Sequence, residues 1–95
     1  MDQQEIDDAY DQGVWAPNRD IVLARRRAAS AQALERLGPP WRVAYGPTAI
    51  EQLDIYRSPR PLAPIQLFLH GGAWRGGLAS ESAFQAEMFL AAGAH

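Results

Sequence analysis

The sequence contains no cysteine, which excludes a disulfide framework and any metal site built on thiolates. It also lacks a long apolar run, since its purely apolar stretches extend over only a few residues and a bilayer span needs roughly 20. The first five residues, Met1 to Glu5, are acidic and polar, whereas a secretory signal starts basic and continues into an apolar core. We therefore expect a cytoplasmic chain with no membrane segment.

An excess of charge of one sign is missing as well. The 95 residues include 9 basic and 11 acidic side chains, for a formal net charge of −2, so nothing suggests nucleic acid or an anionic membrane as a partner. No cluster of histidines and carboxylates has the spacing of metal ligands, and no cofactor is expected. Hydrophobic residues make up 47% of the chain, which argues against disorder along its whole length.

The N-terminal segment, residues 1–40, is predicted to be helical. A helix over about 20–37 is capped by Asn18 or Asp20 and is ended by Gly38 and the two prolines that follow it. Arg25, Arg26 and Arg27 are consecutive and fan around this helix, which favours a solvated surface over a contact with a partner or phosphate. Its predicted apolar stripe consists of Ile21, Ala24, Ala28, Ala31 and Leu34.

Residues 41–95 have the pattern of the start of a sheet. Alternation predicts antiparallel strands near 41–46 and 51–57, and the apolar run Ile65 to Leu69 predicts a third strand, near 65–70, buried on both faces. A helix near 82–92 follows, with Ser82 and Gln85 as a capping box and Gly93 after its end. Its predicted inward stripe consists of Phe84, Met88 and Ala91.

The segment with the clearest chemistry is the glycine-rich loop His70-Gly71-Gly72-Ala73-Trp74-Arg75-Gly76-Gly77. Glycine lets a ligand approach backbone amides closely, and such amides hold either a phosphate or an oxyanion. A P-loop is excluded because Gly77 and Leu78 stand where lysine and serine or threonine are needed. A dinucleotide fingerprint is excluded because Ala73 replaces its second glycine.

The oxyanion interpretation fits the loop. The segment resembles the HGG-type motif of α/β-hydrolase lipases and esterases, and HGG-A-W is similar to the HGG-x-W motif of arylformamidase-like hydrolases. Tyr45-Gly46-Pro47, the later Leu53-Asp54-Ile55-Tyr56 and the preceding helix are also similar to that family. The resemblance implies an α/β fold, with residues 1–95 as the N-terminal portion of one α/β-hydrolase domain.

The same resemblance implies roles for the loop. The amides of Gly71, Gly72 and Ala73 would stabilise the oxyanion of an acyl-transfer intermediate, while His70 would hold the shape of the loop rather than act as the base. Trp74 would line the substrate pocket or pack in the core. The implied partner is a small ester or aryl formamide.

The catalytic triad is missing from the sequence. The four serines are Ser30, Ser58, Ser80 and Ser82, and none of them lies in a G-x-S-x-G elbow. We therefore expect a truncated chain whose parent carries the nucleophile, acid and base after His95. Two alternatives remain: a non-catalytic binding protein on the same scaffold, and a fragment whose glycines only form a tight turn.

Overall fold

A computed structural model of the chain describes residues 1–72 and 76–95. Helices α1 (Gln3–Tyr10), α2 (Gln12–Trp15) and α3 (Arg19–Leu37) come first, and strands β1 (Trp41–Ala44) and β2 (Gln52–Ile55) follow. A 3₁₀ helix (Ala79–Gln85) then leads directly into α4 (Ala86–Ala91). The described part of the chain therefore has mixed α/β content, with helices and a two-stranded antiparallel sheet.

Local polar contacts form α1, which lies ahead of the helix predicted over 20–37. The Asp2 carboxylate accepts from the Glu5 amide at 2.8 Å, and the Glu5 carboxylate accepts from the Asp2 amide at 2.8 Å. This reciprocal capping box satisfies two amides that a helix start leaves without partners. The indole Nε1 of Trp15 donates to the Ala9 carbonyl at 3.2 Å and ties α2 to α1.

Helix α3 agrees closely with the predicted helix over 20–37. Gly38 follows its last residue with φ +78°, a left-handed conformation that glycine adopts without strain, and its amide donates to the Leu34 carbonyl at 2.9 Å. Asn18 occupies the N-cap position, although its side chain makes no capping hydrogen bond.

The predicted apolar stripe of α3 is wrong. Ser30 and Ala33 are the buried residues of this helix, and four members of the stripe are exposed: Ile21, Ala24, Ala28 and Ala31. The reason is a contact with the 3₁₀ helix. The Ser30 hydroxyl donates to the Glu81 carbonyl at 2.8 Å and accepts from the Phe84 amide at 3.1 Å.

Two arginines lie beside the contact between α3 and the 3₁₀ helix. The Arg26 guanidinium lies 5.5 Å from the centre of the Phe84 ring, which is a cation–π distance. Arg27 Nε lies 2.9 Å from a carboxylate oxygen of Glu81. The predicted solvated surface is confirmed for Arg25 and Arg27, which are exposed, and holds only in part for Arg26, which is half-buried.

The two strands pair antiparallel, as predicted, with Trp41 opposite Ile55 and Arg42 opposite Asp54. Because side chains alternate between the faces of a strand, the larger apolar residues of the hairpin lie on one face and Arg42 and Asp54 lie on the other. Both strands are shorter than predicted, and the chain turns at Gly46 to Ile50.

The predicted buried third strand is wrong. Residues 64–70 are extended without a strand partner in the described part of the chain, and Ile65, Leu67 and Leu69 are 67–79% exposed. Two backbone hydrogen bonds hold the start of this segment against the last residue: Gln66 donates to the His95 carbonyl at 2.9 Å, and His95 donates to the Pro64 carbonyl at 2.8 Å. An apolar run becomes a buried strand only where neighbouring strands cover it.

The predicted start of the last helix is also wrong. The helical segment begins at Ala79 as a 3₁₀ helix that contains Ser82, and it has no side-chain cap. The Phe84 amide donates to the Ser30 hydroxyl on α3 instead of to a local capping side chain, so a tertiary contact sets the start of this helical segment. Ala83 is buried, whereas the predicted inward residues Phe84, Met88 and Ala91 are exposed. Gly93 follows α4 with φ +86°, as predicted.

The core is small. In the described ranges the buried apolar residues are all alanines, namely Ala33, Ala63, Ala83 and Ala94. The radius of gyration is 16.9 Å and the principal extents are 57 × 32 × 21 Å, whereas a compact domain of this length has a radius of gyration of about 12 Å. Packing of α3 on the 3₁₀ helix thus organises an elongated chain.

Candidate functional site

The glycine-rich loop lies between the extended segment and the 3₁₀ helix. His70, Gly71, Gly72, Gly76 and Gly77 are all exposed. Ala73 and Trp74, for which the sequence predicts roles in the oxyanion hole and the substrate pocket, lie outside the described residues. The site is therefore built from the two flanks of the loop.

Two positions in the loop require glycine. Gly72 has φ +140° and Gly77 has φ +93°, a range that side-chain-bearing residues rarely adopt. A Cβ at Gly72 would collide with the Gly76 carbonyl, and a Cβ at Gly77 would lie 2.7 Å from the Gly71 carbonyl oxygen. The two flanks are thus so close that only glycine fits between them.

His70 contacts the backbone of its own loop. Its Nδ1 lies 2.8 Å from the Gly71 carbonyl oxygen, and because a carbonyl only accepts, the Nδ1–H tautomer donates this hydrogen bond. Nδ1 also faces Gly77, where a Cβ would lie 2.8 Å from it. The imidazole therefore lies between the two flanks of the loop.

The amides of Gly71 and Gly72 take part in no hydrogen bond within the described part of the chain. An exposed N–H group of this kind is available to an anionic oxygen. Chemically, the loop can therefore offer adjacent backbone donors, next to a histidine whose proton is committed to a carbonyl.

The structure brings together Ser58 and His95, a pair that the sequence does not predict. The backbone amide of Ser58 donates to His95 Nδ1 at 2.9 Å, and the Ser58 hydroxyl accepts from the Arg60 amide at 3.2 Å. Because His95 binds the amide rather than the hydroxyl, this contact anchors the proline-rich loop and does not activate a nucleophile. Ser30 is likewise occupied by Glu81 and Phe84.

The sequence also does not predict a second group of polar residues, which lies on the face of the hairpin that carries Arg42 and Asp54. Asp54 Oδ1 and the Tyr56 hydroxyl oxygen are buried and have no hydrogen-bond partner among the described residues. Burial raises the pKa of Tyr56, and the negative charge of Asp54 raises it further. The strand register creates this cluster, since it places Arg42 opposite Asp54, and sequence alternation alone does not fix a register.

Comparison with protein-family models, with curated proteins and with solved structures finds no match to this chain. None of the helices in residues 1–72 and 76–95 combines the length and apolar content that crossing a membrane requires. Within those same ranges, no three potential metal-ligating side chains come together.

Proposed function

We propose that this chain supplies the oxyanion-hole loop of a serine hydrolase that cleaves a carboxylic ester or an aryl formamide. In this proposal the nucleophile, acid and base lie outside the 95 residues, and the fold of the complete enzyme is the α/β-hydrolase fold. The chain is the N-terminal portion of that single domain, with residues 1–40 as its helical segment.

The proposal rests on the exposure of Gly71 and Gly72 and on the free hydrogen-bonding capacity of their amides. They lie at the surface of a loop that follows an extended segment and precedes a helical one, and no hydrogen bond within the described ranges uses them. The backbone conformation of Gly72 and the close approach of Gly76 restrict the position to glycine. Conformational restriction of donors is what oxyanion stabilisation requires, because it avoids reorganisation during the reaction.

The reaction would proceed in two steps. A serine hydroxyl attacks the carbonyl carbon while a base takes its proton, and the amides of Gly71, Gly72 and Ala73 stabilise the oxygen that becomes negative. Collapse of this intermediate expels the alcohol or the aryl amine, which takes up the proton held by the base, and leaves an acyl or formyl ester on the serine. Water then releases the acid by the same route.

In this mechanism His70 is a positioning residue. Its hydrogen bond to the Gly71 carbonyl holds the peptide plane whose other end carries the Gly72 amide, so it orients one of the donors. Trp74 remains the proposed wall of the substrate pocket.

The first experiment is covalent labelling with a fluorophosphonate of the protein as its source produces it, followed by mapping of the labelled peptide. The expected result is a labelled serine outside residues 1–95. Labelling of Ser30, Ser58, Ser80 or Ser82, or hydrolysis of esters with no labelled serine, would overturn the proposal. The 95-residue chain alone should hydrolyse neither p-nitrophenyl esters nor N-formyl aryl amines above background.

The second experiment compares Gly72→Ala with Gly76→Ala in the active enzyme. A Cβ at Gly72 meets the Gly76 carbonyl, whereas a Cβ at Gly76 meets nothing within 4 Å. Displacing one oxyanion donor costs roughly 3–4 kcal/mol, so Gly72→Ala should lower kcat by about 10²–10³-fold and change KM little. Gly76→Ala should keep most of the activity. A raised KM with unchanged kcat in Gly72→Ala would indicate a binding loop and contradict the role in catalysis.

A further inference from the structure

A cleft of about 540 Å³ lies between the C-terminal end of α3 and the β1–β2 hairpin. Its apolar wall is formed by Leu34, Pro39 and Pro40, and its charged residues are Glu35, Arg42 and Asp54. No described residue of the glycine-rich loop lines this cleft. Its volume falls in the range of about 300–1,000 Å³ that is typical of small-molecule sites.

The side chain of Asp54 is nine-tenths buried, with 10% of its surface exposed. Its Oδ1 has no hydrogen-bond partner in the described part of the chain. Arg42 Nε lies 3.5 Å from that oxygen, which is an ion pair without a good hydrogen bond. A carboxylate has about four acceptor positions. Oδ1 itself is covered, so a further donor would reach the carboxylate through the part of the side chain that stays exposed.

The charges around the cleft favour a cation. Glu35 and Asp54 are negative and Arg42 is positive, which leaves an excess of one negative charge. The Arg42 side chain is 59% exposed, so water solvates much of its charge. A buried carboxylate that lacks a full partner is costly, and a charged donor entering the cleft would offset that cost.

We propose that this cleft binds an organic monocation, meaning a protonated amine or amidine that carries a small apolar group. The cationic head would pair with the exposed part of the Asp54 carboxylate, with Glu35 at the rim, and the apolar group would lie against Leu34, Pro39 and Pro40. A bare metal ion fits less well, because no group of three potential ligand side chains is found among the described residues.

The test is a titration of the ¹⁵N-labelled chain with 2-phenylethylammonium, followed by amide chemical shifts, with neutral 2-phenylethanol as the matched probe. Saturable shifts are expected at Arg42 and Asp54 with a Kd on the order of 1 mM, and the neutral probe should bind at least several-fold more weakly. Equal binding of both probes would indicate an apolar crevice only, and no saturable shift would indicate a satisfied structural ion pair. Either result would overturn the proposal.

Four variants sharpen this test. Asp54→Asn should weaken binding by about tenfold or more, since it removes a charge-assisted hydrogen bond, and the exposed Glu35→Gln should weaken it by about twofold to threefold. Asp20→Asn, which changes the charge equally at the far end of α3, should have no effect. Arg42→Gln should strengthen binding, because it removes the competing cation.

If Asp54→Asn does not fold, Arg42→Gln still tests the proposal. Weaker binding of the cation in Arg42→Gln would overturn it. The titrations are repeated with Leu67→Lys, an exposed position outside the cleft, so that self-association of the chain does not obscure the result. Loss of binding in Asp20→Asn as large as in Asp54→Asn would also overturn the assignment.

Discussion

Glu51 shows how a single exposed side chain fixes the turn between the two strands. Its carboxylate accepts from the hydroxyl of Thr48 at 2.6 Å and from the Thr48 amide at 2.8 Å. The hydroxyl bond, followed by the amide bond, holds the pKa of Glu51 below its usual value of 4.5. Both bonds favour the charged carboxylate, so they stabilise the turn only while Glu51 is ionised.

We predict that the hairpin weakens in acid. Because the folded pKa of Glu51 is lowered, its contribution to stability is present above pH 4.5 and is lost as the pH falls through the folded value. Thr48→Val should return the pKa toward 4.5, which a ¹³C titration of the Glu51 carboxyl measures. An unchanged titration in Thr48→Val would show that the hydroxyl bond is absent in solution.

The hydroxyl of Tyr56, unlike the carboxylate of Glu51, is expected to lower the stability of the fold. Its hydroxyl oxygen has no partner within the described ranges, so Tyr56→Phe should raise the free energy of unfolding by about 1 kcal/mol. Because the folded pKa of Tyr56 is raised, its ionisation does not affect stability below pH 10.0, and the free energy of unfolding falls as the pH rises through the folded value. Denaturant unfolding at neutral and alkaline pH measures both effects, and the alkaline loss should disappear in Tyr56→Phe.

The control for this change is Tyr45→Phe, because Tyr45 is 65% exposed and a surface substitution of this kind usually changes stability by less than about 0.5 kcal/mol. A loss of more than about 1 kcal/mol in Tyr56→Phe would show that the hydroxyl has a partner in solution.

At the scale of secondary-structure elements, the packing of α3 on the 3₁₀ helix depends on Ser30. This residue is 1% exposed, and its hydroxyl bridges the Glu81 carbonyl and the Phe84 amide. Removing the hydroxyl leaves both backbone groups without this partner in a part-buried contact. The ion pair between Arg36 Nε and Glu87, at 2.7 Å, is mostly solvated and contributes little.

We therefore predict that Ser30→Ala lowers the free energy of unfolding by about 1–3 kcal/mol. Ser82→Ala is the matched control, since no capping bond is made by that side chain at the start of the 3₁₀ helix, and it should change stability by less than about 0.5 kcal/mol. Urea unfolding followed by circular dichroism measures both. A larger loss of stability in Ser82→Ala than in Ser30→Ala would support the predicted capping box at Ser82 and contradict the bridging role of Ser30.

Those elements whose signals are local could be predicted from the sequence. Helix α3 ends where Gly38 and two prolines forbid its continuation, and the antiparallel pairing of β1 and β2 follows from their short connection. The buried face of α3 could not be predicted, because alanines occur on several of its faces and the contact depends on one serine. The prediction of a third strand was wrong for a similar reason, because an apolar run does not specify which elements cover it.

The candidate sites differ in the same way. The glycine-rich loop could be located from its residues alone, because Gly72 and Gly77 occupy conformations that only glycine adopts readily. The Asp54 cleft could not, since it depends on the register that brings Arg42 opposite Asp54 and on where α3 ends relative to the hairpin.

On the scale of the whole molecule, most of the large apolar residues in the described part of the chain are exposed to solvent. The extended segment exposes Ile65, Leu67 and Leu69 to 79%, 67% and 78%, and its backbone groups beyond Gln66 have no strand partner in the described part of the chain. An exposed apolar segment with unpaired backbone groups is a template for pairing with another chain.

We predict that the isolated chain self-associates through this segment. Leu67→Lys should shift it toward the monomer, because a charge disfavours edge-to-edge pairing. Ile50→Lys adds the same charge at a turn residue that is 87% exposed and should leave the self-association unchanged. Sedimentation velocity over a range of concentrations measures this, and a wild-type chain that stays monomeric throughout would contradict it.

The contact between Ser30 and Glu81 also determines the order in which the chain assembles. These residues are 51 positions apart, whereas Trp41 and Ile55 of the hairpin are close in sequence. Joining points about fifty rather than about fourteen residues apart costs about 1.1 kcal/mol more in loop-closure entropy, so the hairpin can form within microseconds, before α3 docks on the 3₁₀ helix. Loss of the Ser30 hydroxyl should then accelerate unfolding in stopped-flow experiments and leave the refolding rate nearly unchanged.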